Sequence, residues 1–293
     1  MRAEGIDQAM AMYTVDGQQL HVHEEGKDHD RVIVLLHGWA SSWYAMSPLL
    51  PMLSQHYRCL AVDLPGYGAS PPLPTRVTIA RYTRLVAELI GQITDKPVIM
   101  IGHSMGGMIS LQMTLTESEL VERLVLISPT ISGDLGLLVN LTLAPFAAVE
   151  RFPLTRWLVG LVEPIVNITD SLLRPALFAA DSEISQEDYE SIRADVRHPG
   201  QGRVRAECFW AMRENSLKGW FGQIDKPALV VWGMEDNTVP LRDASIVARE
   251  WPNADLRVIP NAGHWPQFET PDVTKKYIQG FLGRPTKLIN LDF

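Results

Sequence analysis

Pro97-Val98-Ile99-Met100-Ile101-Gly102-His103-Ser104-Met105-Gly106-Gly107 is the stretch whose reading decides the fold. The apolar run from Val98 has the continuity of a strand buried on both faces, and it stops at Gly102. Helical periodicity begins after Ser104, so Ser104 stands on a strand-to-helix turn, the place where a nucleophile can be mounted. Gly102 and Gly106 flank it because so sharp a turn brings backbone too close for a Cβ. A Gly-x-Ser-x-Gly arises by chance in about one chain of this length in ten, so its meaning depends on what surrounds it.

Toward the amino terminus, residues 78–94 place Ile79, Tyr82, Leu85, Val86, Leu89, Ile90 and Ile93 at the three-and-four spacing of a helix with one buried face. Residues 57–63 and Arg31-Val32-Ile33-Val34-Leu35-Leu36-His37-Gly38-Trp39 are two more continuous apolar runs. The former leads into the shaped loop Leu64-Pro65-Gly66-Tyr67-Gly68-Ala69-Ser70-Pro71-Pro72. Earlier still, Val15-Asp16-Gly17-Gln18 separates two alternating runs and signals a hairpin. His21 and His23 share one face of its second run; with no third ligand nearby, they read as a solvated face rather than a metal pair.

Toward the carboxyl terminus, residues 105–115 continue as a helix and Arg123-Leu124-Val125-Leu126-Ile127-Ser128-Pro129 is another buried strand. Alternating strands and helices imply an α/β fold, a mostly parallel doubly wound sheet with right-handed crossovers. Active groups in such sheets gather at the carboxyl ends of the strands. His37, Gly38, Asp63, Ser104 and Ser128 all fall there.

The alternation stops over 131–221, which reads as an inserted helical cap on a core of 1–130 and 222–293. Helices are expected at 135–149, 154–162 and 172–180, broken by Pro145, Pro153, Pro164 and Pro175. Residues 135–149 carry no charge. They fall short of the roughly 20 residues a bilayer needs, so they read as a packed cap helix, with an apolar pocket lining or peripheral contact with lipid as the sharper alternatives. The polar stretch 181–205 suggests a solvated face. Alternation resumes with a strand at 224–233, a helix at 241–250, a strand at 256–260 and a helix at 271–282.

The 293 residues suit one large domain with an insertion, and 46% hydrophobic with 20% charged residues is ordinary globular usage. A formal charge of −8 repels polyanions, so nucleic acid is not an expected partner. Two distant cysteines, Cys59 and Cys208, suggest neither a disulfide framework nor a zinc site and read as small buried thiols. Met1-Arg2-Ala3-Glu4-Gly5 lacks the order of a signal peptide, so a cytoplasmic protein is expected.

A serine hydroxyl is a weak nucleophile until a base takes its proton, and the base must itself be oriented. Among eight histidines, His264 lies just past the last strand in a glycine-preceded loop that can aim an imidazole at Ser104. His103 points away as the neighbour of Ser104 on a tight turn, and takes a packing role. The orienting carboxylate belongs after the strand that ends at Gly233; Asp236 is preferred, with Glu235 and Asp134 as alternatives. Serine, then aspartate, then histidine is the order that accompanies such an elbow.

With these residues in place the chain resembles the α/β-hydrolase superfamily. The resemblance rests on His37-Gly38-Trp39, Asp63-Leu64-Pro65-Gly66-Tyr67-Gly68-Ala69-Ser70, Gly102-His103-Ser104-Met105-Gly106-Gly107, Gly233-Met234-Glu235-Asp236 and Gly263-His264, and spans nearly all but the cap. It implies an oxyanion hole built from the backbone N–H groups of Met105 and Trp39. It also implies acyl transfer from an apolar carboxylic ester to water, carboxylesterase- or lipase-like, needing no metal or organic cofactor. The same resemblance admits carbon–carbon bond hydrolysis of vinylogous diketones, whose enzymes often share a Ser-Met-Gly-Gly elbow, or thioester hydrolysis. A ligand-binding or accessory protein on the same fold is the non-enzyme alternative.

Overall fold

In the computed structural model, the described residues are 10–137, 139–141, 174–175, 177–196, 198 and 201–284. They contain one eight-stranded sheet, in the order β1-β2-β4-β3-β5-β6-β7-β8. The strands are β1 (Met10–Val15), β2 (Gln18–Glu25), β3 (Val32–Leu36), β4 (Arg58–Val62), β5 (Val98–His103), β6 (Val121–Ile127), β7 (Ala228–Gly233) and β8 (Asp255–Ile259). Only the β1–β2 and β2–β4 pairings are antiparallel; from β4 to β8 every neighbour is parallel. The expected mostly parallel α/β sheet is what forms.

The hairpin at the amino-terminal end follows from its turn chemistry. Val15 pairs with Gln18, leaving a two-residue loop. Asp16 and Gly17 both adopt positive φ, 47° and 74°, which matches the right-handed twist of the flanking strands. His21 and His23, expected on a solvated face, are instead buried at 6% and 8% exposure. The reason is pairing: His21 Nδ1 lies 2.7 Å from Asp63 Oδ2, and the His23 ring stacks on Trp43 with centroids 3.8 Å apart.

Side chains alternate across each parallel strand, and both faces are covered. Val34, Leu36, Met100, Leu126 and Val230 turn to a core shared with α2 (Ile79–Ile93), α3 (Met105–Thr116) and other helices. Ile33, Leu35, Ile99, Ile101, Val125 and Val231 turn to a second core, closed by α1 (Leu50–Leu53) and the carboxyl-terminal helix Pro271–Leu282. Thr78 caps α2 by accepting a hydrogen bond from the Arg81 N–H. Helix α3 is buried nearly all round, as an element set against the middle of the sheet should be.

Two helices of the 131–221 stretch are described, α4 (Gln186–Val196) and α5 (Gly202–Glu214). The expected helix at 154–162 lies outside the described residues, as do most residues of that at 135–149 and residues 172, 173 and 176 of that at 172–180. Helix α4 docks on the turn Trp43–Met46, where Tyr44 donates to Asp188 at 2.7 Å and Ser42 donates to Asp195 at 2.5 Å. Burial pushes the Asp195 carboxyl up to about 6. Although 181–205 reads as solvated, it buries Ile184, Ile192 and Val204; α5 continues with Ala206, Cys208 and Phe209 also buried. The remaining helices are α6 (Leu241–Glu250), α7 (Pro266–Glu269) and α8 (Pro271–Leu282). Cys59 and Cys208 are buried free thiols, each pushed up to about 12 chiefly by burial. No helix of the described residues is long and apolar enough to cross a membrane.

Candidate active site

Ser104 occupies the turn between β5 and α3 with φ 54° and ψ −116°, a conformation that non-glycine residues avoid. It is held there from several sides. Its N–H donates to the Ile127 carbonyl at 3.0 Å, and its carbonyl accepts from Met108 at 3.2 Å and Thr130 at 3.1 Å. Close packing explains the flanking glycines: a Cβ on Gly102 would lie 2.5 Å from the Gly106 oxygen, and one on Gly106 2.2 Å from the Leu36 oxygen. Strain of this kind costs about 1–3 kcal/mol and persists where the surroundings over-determine it.

The other candidates arrive from the carboxyl ends of β3, β7 and β8. His264 Nδ1 lies 2.8 Å from Asp236 Oδ2, and both residues are buried. The second Asp236 oxygen accepts from the N–H groups of Thr238 at 2.9 Å and Val239 at 2.8 Å, so the carboxylate cannot rotate freely. An ionised carboxylate accepts the Nδ1 proton and leaves Nε2 as the basic nitrogen. The alternatives are engaged elsewhere: Glu235 accepts from the Ala180 N–H at 3.1 Å, and Asp134 pairs with Arg242 at 3.1 Å.

No hydrogen bond joins the Ser104 hydroxyl to the His264 ring among the described residues. Their loops meet instead through His103, whose Nε2 donates to the His264 carbonyl at 2.8 Å. The two imidazole centroids are 4.8 Å apart. Burial holds the His103 pKa well below the ordinary histidine value, with the neighbouring His264 adding to the effect. His103 is therefore a neutral spacer between elbow and base loop, in keeping with its expected packing role.

Met105 opens α3, where backbone N–H groups have no intrahelical acceptor. Gly38 brings the second loop over the serine, since a Cβ there would stand 2.9 Å from Ser104 Cβ. The Trp39 side chain is committed elsewhere: its indole N–H donates to the Arg205 carbonyl at 2.8 Å and its ring packs on Phe209, both on α5. His37 braces this loop. Its Nε2 accepts from the Leu64 N–H at 3.0 Å and its Nδ1 donates to the Gly38 carbonyl at 2.7 Å, an arrangement only a neutral ring can make. Burial lowers its pKa in the same sense.

Two acidic groups matter more than sequence reasoning foresaw. Asp63 accepts from the N–H groups of Trp43 at 2.7 Å and Ala69 at 2.9 Å as well as facing His21, pinning the loops beside the site. Glu269 accepts from Gly263 and Trp265, the residues either side of His264. The only sequence signal for Glu269 was its place five residues after the histidine. Among the described residues, no group of three or more His, Cys, Asp or Glu is placed to hold a metal ion.

A strained serine on a strand-to-helix turn, with a histidine bonded to a carboxylate on a loop that touches that turn, is an arrangement shared by many hydrolases. The sequence pattern described as alpha/beta hydrolase fold matches residues 31–271, and the chain belongs to that family. It is similar to the uncharacterised hydrolase YugF of Bacillus subtilis (strain 168), 26% identical over 279 residues covering 92% of this chain and 96% of YugF. It is also similar to the 2-hydroxy-6-oxo-6-(2'-aminophenyl)hexa-2,4-dienoic acid hydrolase of Metapseudomonas resinovorans. That relative is 27% identical over 281 residues, 92% of this chain and 89% of its own. A thermophilic esterase from Thermogutta terrifontis shares the fold, with a TM-score of 0.76, 20% identity, and 93% of this chain and 97% of the esterase covered.

Proposed function

We propose that this hydrolase cleaves carboxylic esters with an apolar acyl or alcohol part through an acyl-enzyme on Ser104. The observation that carries the reading is the buried 2.8 Å contact of His264 Nδ1 with Asp236, on a loop that touches the Ser104 elbow. In this scheme His264 Nε2 takes the Ser104 proton as the hydroxyl oxygen attacks the ester carbonyl. The Met105 and Trp39 N–H groups receive the developing oxyanion, each such donor being worth about 3 kcal/mol. His264 then protonates the leaving alcohol, and water, activated by the same imidazole, releases the acid and restores the hydroxyl. Asp236 stays ionised, and no step needs a metal or organic cofactor.

Residues 131–221 act as the cap in this reading, on a core of 1–130 and 222–293. Three contacts support it: Trp39 with Arg205, His264 with Leu177, and Glu269 with Ala179 all tie that segment to loops bearing the proposed machinery. The apolar stretch 135–149 favours an apolar substrate.

Carbon–carbon bond hydrolysis of a vinylogous diketone is the second reading, favoured by the named hydrolase of Metapseudomonas resinovorans and by Ser104-Met105-Gly106-Gly107. Rates on p-nitrophenyl esters of increasing acyl length, measured beside a vinylogous diketone, separate the two. We expect turnover of the esters, rising with acyl length. A higher kcat/KM on the diketone overturns the ester assignment.

A further inference from the structure

The proposed ester chemistry gives Glu269 no step, yet its carboxylate is buried at 6% exposure against the loop of the proposed base. Oε1 accepts from the N–H groups of Gly263 and Trp265, each at 3.0 Å, the two residues that flank His264. Oε2 accepts from the Ala179 N–H at 2.7 Å. From the other side, the His264 N–H donates to the Leu177 carbonyl at 2.9 Å. Phe178, between these two contacts, stacks on Trp265 with centroids 6.3 Å apart. One carboxylate thus grips the main chain on both sides of the imidazole and joins it to 177–179.

We propose that Glu269 is a positioning residue for His264: it holds the imidazole on Asp236 and clasps the 177–179 segment of the cap against the base loop. The inference rests on the reading of His264 as the general base. Its chemistry suits the task. Three backbone donors converge on two oxygens, and only an ionised carboxylate presents acceptors alone. A glutamine would keep one carbonyl oxygen for Gly263 and Trp265 while setting an NH2 against the Ala179 N–H. Alanine would release all three donors and free the histidine loop to drift. A misplacement of about 1 Å at a catalytic group costs roughly 100-fold in rate.

The test compares Glu269→Ala, Glu269→Gln and His264→Ala on a p-nitrophenyl ester, with the low-field imidazole N–H proton resonance of the His264–Asp236 pair as a second readout. For E269A the expected kcat loss is about 100-fold with KM changed less than about threefold, and the resonance shifts or disappears. For E269Q the expected kcat loss is about tenfold, the resonance being retained. A folded E269A with wild-type kcat and an unmoved resonance overturns the proposal. Should E269A not fold, E269Q decides: a wild-type kcat there overturns it equally. H264A separates the two levels of inference. If it keeps ester turnover, the base assignment fails; if it is inactive while the Glu269 variants are unimpaired, only the positioning role fails.

Discussion

Ser104 carries an unfavourable backbone conformation that the proposed nucleophile role explains and fold stability does not. At φ 54° and ψ −116° a Cβ is strained and glycine is not. Ser104→Ala should therefore abolish ester turnover with Tm within about 2 °C of the parent, since it removes one hydroxyl and keeps the strain. Ser104→Gly, equally inactive, should be more stable than S104A by about 1 kcal/mol, the relieved strain exceeding the added freedom of the unfolded chain. Chemical denaturation of the pair measures this, and an S104G no more stable than S104A would show that the turn is unstrained. The choice of carboxylate also belongs to this scale. Asp236, Glu235 and Asp134 all occupy loops after core strands, and sequence could order them but not separate them. Separation came from atoms: only Asp236 faces the His264 Nδ1, with its other oxygen fixed by two backbone donors.

At the scale of elements, the elbow works because β3, β5 and α3 nearly touch. Gly106→Ala would drive a methyl to 2.2 Å from the Leu36 oxygen and 2.6 Å from that of His37. Since neither is a flexible side-chain end, α3 or the 37–39 loop must shift. We expect a loss of about 2–4 kcal/mol with collapse of ester turnover, read from urea melts and kcat; parent-like stability would contradict the packing described. The α4 contact offers a different test. Asp195 has its carboxyl raised to about 6 in the folded chain, above the usual 3.8, so the folded state holds the proton more tightly than the unfolded one. The sign follows: this group's stabilising contribution is present at low pH and is lost as pH rises through about 6. Asp195→Asn mimics the protonated form, so its Tm should gain on the parent between pH 5 and pH 7. A gap that is flat or reversed over that range would contradict it. The strands and helices α2, α3, α6 and α8 were legible because apolar continuity and three-and-four spacing report burial directly. His21 and His23 were not, because the partners that bury them, Asp63 and Trp43, are far along the chain. Helix α5 escaped for a related reason: its polar composition hides Val204 and Phe209, whose apolar cluster is built from residues far along the chain.

Across the whole molecule, the polar groups of interest gather on one rim of a sheet whose interior is hydrocarbon. That rim was foreseeable, since strand order puts His37, Asp63, Ser104, Asp236 and His264 at carboxyl ends whatever the detail of packing. What sequence could not convey is how the rim is braced. His37, His103 and Glu269 each make fixed bonds to backbone within the loops that bear Trp39, Ser104 and His264. Such braces leave no periodic signature, for their partners are main-chain atoms that any residue supplies. We propose that substrate choice belongs to the 131–221 segment, whose Arg205, Leu177 and Ala179 make backbone contacts with the rim. At the centre of the proposed chemistry, Ser104 is a nucleophile activated by His264 and Asp236. Fluorophosphonate labelling of the folded protein, with the modified residue located by mass spectrometry, tests it most directly. One adduct is expected, on Ser104, lost in His264→Ala; a folded protein left unlabelled at Ser104 would overturn the nucleophile assignment.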